Sequence, residues 1–251
     1  MADVPSIEFL TEPLFWVVAL AGFAAALVRG FSGFGAGLIF MPIAAASIGP
    51  IPAAGILLII DTIPILPLVA RAVRIVEWRE VLPLGFGSML MVPAGAAVLV
   101  MADPVPLRWA LSLVILVSIG LLAAGVRYRG PTRVWLSGIV GGIAGFMSGS
   151  MQIPGQPVLI YWLGRDAVPV TMRANAIVFF MFSTVISSAA FVYAGIFTAD
   201  VMLRAAVLMP IYAAGVFVGS RMFGLASEAT YRAIAYASIL FAALVSMPLF
   251  G

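Results

Sequence analysis

Residues 19–42 read ALAGFAAALVRGFSGFGAGLIFMP, and the segment Arg29-Gly30-Phe31-Ser32-Gly33-Phe34-Gly35-Ala36-Gly37 within them decides how the rest of the chain is read. Apolar residues lead into it over 14–29 and away from it over 34–48. Glycines at 30, 33, 35 and 37 each weaken a continuous helix by about 1 kcal/mol relative to alanine. In a hydrocarbon core such backbone survives only where protein covers it or where it lines a wet cavity. A helix restarting near Phe34 would turn free N–H groups and the positive end of its dipole toward the break, beside Arg29, a setting that attracts anions. The same glycines suit close helix packing, since Gly33 and Gly37 have small-xxx-small spacing. The residues alone leave both readings open.

The chain around this break is built for a bilayer. Of its 251 residues 64% are apolar and only 9% charged, too few charges to cover a soluble domain. The apolar residues fall in blocks at 14–29, 34–48, 51–70, 81–101, 106–126, 134–147, 155–164, 168–196, 201–220 and 233–250. Several are long enough to cross a hydrocarbon core of about 30 Å, so an all-α polytopic membrane protein is expected. The N-terminal segment 1–13 carries Asp3, Glu8 and Glu12 and no basic residue, so it does not read as a cleaved secretory signal. All 13 basic residues are arginine, and the chain has no lysine, histidine or cysteine. Lysine, thiol and histidine chemistry is therefore excluded, as are the usual zinc ligands, and neither a metal nor a cofactor is expected. The net charge of +3 points to cytoplasmic loops rather than to a nucleic-acid partner.

A second break mirrors the first. It reads Gly145-Phe146-Met147-Ser148-Gly149-Ser150-Met151-Gln152-Ile153-Pro154-Gly155-Gln156-Pro157. Prolines 154 and 157 suit a helix start and prevent an unbroken helix. The amides of Gln152 and Gln156 can donate to an anion's oxygens, although a polar turn outside the membrane would have the same composition. A shift of 119 residues places Gly22 on Gly141, Gly30 on Gly149 and Gly35 on Pro154 without a gap. Two repeats follow, at 14–126 and 133–251, joined by a basic linker at 127–132.

Charge sets the expected topology. Arg71, Arg74 and Arg79, then Arg127, Arg129 and Arg133, then Arg221 and Arg232 mark cytoplasmic loops, while the acidic N-terminus, Asp103 and Asp200 fall outside. Arg108 and Arg204 are exceptions on the outer side. Parity then requires 14–48 to enter and return, as two spans or as a re-entrant hairpin. Each repeat has a glycine-broken helix hairpin plus three spans, an odd number of crossings, so the two are inverted relative to each other.

The phrases GFSGFGAGLIFMP (30–42) and GFMSGSMQIPGQPVLIYWL (145–163) resemble the paired signature segments of the TauE/SafE family, the sulfite exporter or 4-toluenesulfonate uptake permease family. The resemblance covers nearly the whole chain. It implies ATP-independent transport of sulfite, organosulfonates or related small anions across the cell inner membrane. It also places an arginine at the start of the helix that carries Arg173. The second segment departs from the family's frequent G-I-G-G-P, because Gln152-Ile153-Pro154-Gly155-Gln156-Pro157 puts glutamine and proline where small residues are usual, which bears on substrate size.

The expected substrate-binding residues are Arg29, Ser32, Gly33, Gly35, Gln152, Gly155 and Gln156 from the breaks, with Arg173 and Asn175 from 168–196. Arg173 reads equally well as a snorkelling anchor. Asp61 is the sole carboxylate deep in an apolar block; it can pair with Arg29, carry a coupling proton, or sit as a neutral acid near Pro64 and Pro67. An intramembrane enzyme is not expected, because a serine nucleophile lacks a lysine or histidine base and Asp61 has no acidic partner. No Walker-type loop is present. The function expected is secondary transport of small sulfur-containing anions by alternating access, with another organic anion such as a carboxylate as the alternative. The partners are the small anionic substrate and the lipid bilayer. A homodimer is compatible with the chain but not demanded by it, and the direction of transport is open.

Overall fold

The computed structural model describes residues 7–124, 128, 130, 133–163 and 169–223. Every regular element among them is helical. After a 3-10 turn at Ile7–Thr11, α1 runs Pro13–Ser32, α2 Ala36–Ile48, α3 Pro50–Ala72, α4 Trp78–Met101, α5 Pro104–Ala123, α6 Val134–Met151, α7 Gly155–Leu163, α8 Pro169–Tyr193 and α9 Ala199–Phe223. Prolines open α1 and α3, where the missing N–H costs no intrahelical bond. Arg127, Arg129, Arg232 and the apolar block 233–250 lie outside the described residues.

Six helices, α1, α3, α4, α6, α8 and α9, are long and apolar enough to cross a membrane. By contrast α2 has 13 residues and α7 has nine, which at 1.5 Å per residue reach about 20 Å and 14 Å, short of a ~30 Å hydrocarbon core. The outer faces carry exposed Leu14, Leu20, Phe86, Leu90 and Leu113. Such a belt would be a liability in water and is what lipid contact requires. Trp16, Trp78, Trp109 and Trp135 are exposed near helix ends, as interfacial anchors would be. Trp162, which also ends an apolar block, is instead buried edge-on to Phe179, at a centroid distance of 6.4 Å. Arg204, an exception to the charge pattern, is paired with Asp200 at 2.8 Å and lies over the Phe9 ring.

The helices match across the two halves. At the 119-residue shift α1 falls on α6, α2 on α7 and α3 on α8, while α9 follows α8 as α4 follows α3. Packing follows the same correspondence: α1 lies on α9, α6 lies on α4, and α3 meets α8 between them. The α1–α9 and α6–α4 crossings are closed by glycine. A Cβ on Gly30 of α1 would overlap the Val216 carbonyl of α9, and one on Gly149 of α6 would overlap the Val92 carbonyl of α4. Backbones this close leave no room for any side chain, the mode of association that membrane helices favour in the absence of a hydrophobic drive between them.

Candidate functional site

Both sequence breaks are true interruptions. α1 stops at Ser32 because Gly33 turns left-handed, with φ 81°, and its N–H closes on the Arg29 carbonyl at 2.9 Å. Two residues later Gly35, with φ 90°, opens α2. α6 stops in the same way at Met151, but the left-handed residue there is Gln152, with φ 55°. A side chain in that conformation is uncommon, and the glutamine offsets the strain by donating its amide N–H to the Ser148 carbonyl at 2.8 Å. The breaks touch: Gly37 of α2 packs directly on the Gln152 backbone carbonyl, and a Cβ there would overlap it. The small-residue and open-backbone readings therefore apply to different glycines of one stretch.

Between the breaks lies a cavity of about 50 Å3, room for a small polyatomic ion or a few waters. Its walls include Arg29 from α1, Gly35, Ala36 and Gly37 from the start of α2, Asp61 from α3, and Gln152, Gly155 and Gln156 from the second break. Phe180, Ser183 and Thr184 of α8, Ser148 of α6 and apolar residues such as Leu57 and Leu58 of α3 also line it. Two helix N-termini thus face one space, each worth about half a positive charge in its first turn.

Arg29 is almost wholly buried, with 4% exposure, and its guanidinium is held on three sides. Its Nε donates to Asp61 Oδ1 at 3.1 Å, its Nη2 pairs with Asp61 Oδ2 at 2.9 Å, and its Nη1 donates to the Gly33 carbonyl at 2.7 Å. The Phe180 ring lies under it, 5.0 Å from the guanidinium carbon. Asp61 also accepts from the Tyr212 hydroxyl at 2.6 Å. Opposite this charged group stand hydroxyls: Ser183 donates to Ser148 at 2.7 Å, and Ser187 lies 3.2 Å from Ser148. Gln156 differs from all of these. It is buried, and neither its amide nitrogen nor its amide oxygen has a hydrogen-bond partner. A buried, unpaired amide is costly unless something else satisfies it.

Of the residues expected at the site, Arg29, Gly35, Asp61, Gln152, Gly155 and Gln156 come together on the cavity wall. Ser32, Gly33, Arg173 and Asn175 lie outside that lining. Ser32 Oγ is 2.8 Å from the Val28 carbonyl and accepts from the Phe34 N–H, which secures the end of α1. Gly33 lies against the Arg173 side chain. Arg173 in turn donates to the Gly30 carbonyl and lies over the Phe223 ring at 4.2 Å, capping the negative end of α1. Asn175 accepts from the Glu77 N–H at 2.8 Å and ties α8 to the loop between α3 and α4. Tyr212, Ser148, Ser183 and Thr184 were not singled out from the sequence. The phenol of Tyr212, set inside an apolar block two residues after Pro210, was the available signal for one of them.

A multi-pass helical membrane protein whose two broken helices enclose a small polar cavity has the build of a membrane carrier. The chain belongs to a particular family of that class, because residues 18–246 match the family described as sulfite exporter TauE/SafE. It is 25% identical over 241 residues to the probable sulfite/organosulfonate exporter TauE of Cupriavidus necator, with 92% of each chain covered. No solved structure matches the chain. The protein is thus a multi-pass inner-membrane transporter of small anions.

Proposed function

We propose that the protein carries small sulfur oxyanions, sulfite or a compact organosulfonate, across the inner membrane by alternating access around the cavity between the breaks. The observation that carries this reading is the unpartnered amide of Gln156, buried at a point where two helix N-termini and Arg29 converge. An oxyanion placed there would accept from the amide N–H, from the first turns of α2 and α7, and from the N–H groups of Arg29 that its present partners leave over. A volume of about 50 Å3 favours a small anion or a short-chain sulfonate over an aromatic one. Relatedness to an exporter named for sulfite and organosulfonates supports the same class.

In this reading Gln152 and the glycines at 35 and 155 shape the site, while Ser32, Gly33, Arg173 and Asn175 position it by capping α1 and tying α8 in place. The two halves are inverted in the membrane and rock about the contact between α3 and α8. Asp61 is the carboxylate available for coupling to protons. Uptake of sulfite and of methanesulfonate into proteoliposomes tests the reading. The expected result is saturable flux in which Gln156→Leu raises KM roughly tenfold or more, the loss of one hydrogen bond to a charged group. Flux of acetate or lactate in preference to both sulfur anions would overturn the substrate class.

A further inference from the structure

Arg29 does not meet an arriving anion as a free charge. Asp61 already occupies two edges of its guanidinium, through the contacts at 3.1 Å and 2.9 Å. With Asp61 ionised the pair is neutral, and the positive character of the cavity comes from the two helix N-termini, together about one elementary charge. That complements a monoanion. If Asp61 takes up a proton, Arg29 contributes one further charge and two more N–H donors, and the cavity then complements a dianion. Tyr212 makes the change tolerable. Its hydroxyl donates to the carboxylate at 2.6 Å, and the same oxygen can accept from the protonated acid, so Asp61 keeps a partner in either state.

We infer that Asp61 is a resident counter-anion that matches the site to the charge of its cargo: a dianionic oxyanion binds together with one proton, and a monoanionic sulfonate binds without one. The inference rests on the proposed use of the cavity as an anion site. The step is proton transfer alone: the Asp61 carboxylate takes a proton from water in the cavity, its ion pair with Arg29 opens, and the cargo's oxygens replace it on the guanidinium. Tyr212 is a positioning residue, since it bonds Asp61 and does not touch the cargo. Among the described residues, Arg29 from α1 and Tyr212 from α9 are the ionisable groups bonded to Asp61. α3 itself also carries Arg71 in its last turn, and α9 carries Asp200 and Arg204, paired with each other, and Arg221. Of the other helices packed on α3, α2 has no ionisable residue; α4 carries Arg79 and Glu80 and α5 Arg108 near their starts, with Asp103 just before α5; α8 carries Arg173, bonded to the Gly30 carbonyl, and exposed Tyr193 at its end.

The test uses sulfate, a dianion, and methanesulfonate, a monoanion, neither of which titrates near neutral pH. Binding to the purified full-length protein is measured by calorimetry in two buffers of different ionisation enthalpy, which yields the protons taken up per anion bound. The expected result is about one proton with sulfate and about none with methanesulfonate, and sulfate affinity that falls close to tenfold per pH unit where Asp61 is ionised. In Asp61→Asn the proton count for sulfate drops to zero and its affinity no longer follows pH. Should that variant not fold because Arg29 is left unpaired, the proton counts on the unaltered protein decide alone. In Tyr212→Phe the ionised carboxylate loses a donor, so sulfate affinity rises while methanesulfonate affinity holds, a split that a general loss of stability would not give. Equal proton uptake with both anions, or sulfate binding with none, overturns the inference but leaves the anion site standing. Binding of neither anion overturns both.

Discussion

The first break is charged and the second is neutral, although one scaffold holds both. At the 119-residue shift Arg29 falls on Ser148 and Asp61 on Phe180, while matching the Gly30–Val216 crossing to the Gly149–Val92 crossing sets Tyr212 of α9 against Ser88 of α4. The left-handed residue that ends α1 is glycine and the one that ends α6 is glutamine. What the two breaks share is therefore backbone geometry: two broken helices, two N-termini and two glycine-closed crossings. Their side-chain chemistry differs. One half supplies an arginine held by a carboxylate and a phenol, and the other supplies hydroxyls and an unsatisfied amide.

The comparison is broken most severely at the crossings. Gly30→Leu and Gly149→Leu should fail alike, because each forces a side chain into a carbonyl of the opposite helix. Overpacking costs about 1–3 kcal/mol even where neighbours can yield, and backbone cannot. Loss of the monodisperse peak on detergent size exclusion for both variants is the expected outcome. Recovery of one but not the other would show that the halves are not equivalent supports.

The charged and neutral halves should then separate. Asp61→Ala strands a buried arginine, which costs about 3–5 kcal/mol, whereas Ser148→Ala removes only hydroxyl bonds of about 1 kcal/mol each. Thermal unfolding in detergent should place Asp61→Ala well below Ser148→Ala. Replacing both partners, as Arg29→Met with Asp61→Leu, should recover most of that stability while transport stays lost. A double variant no better than Asp61→Ala would mean that the pair is not the unit described here.

The smallest effect on stability is the sharpest on function. Gln156→Leu removes an amide with no partner, so the melting temperature should hold or rise while affinity for the anion falls. A drop in stability equal to the drop in transport would make Gln156 a structural residue.

Much of this was legible in the sequence. Run lengths of apolar residues gave the helices, and the glycine and proline spacing located both breaks, because local backbone preference governs where a helix stops. Arg29, Asp61, Gln152 and Gln156 stood out as polar residues within apolar surroundings. Tyr212 did not, since its role depends on α9 meeting α3, a contact between residues 151 apart in the chain. The same limit applies to Trp162, which ends an apolar block in the sequence yet is buried in the core. Arg173 and Asn175 were correctly placed near the start of α8, but only the fold distinguishes a residue that lines the cavity from one that caps the helix behind it.

The central claim is that the space between the two breaks holds the transported anion. Selenite, a sulfite analogue with an anomalous scatterer, locates that anion directly in crystals of the protein. The account predicts one anomalous peak within hydrogen-bond distance of Gln156 and the N-terminus of α2, beside Arg29. A peak elsewhere in the bundle, with the Gln156 amide still unpartnered, would contradict it.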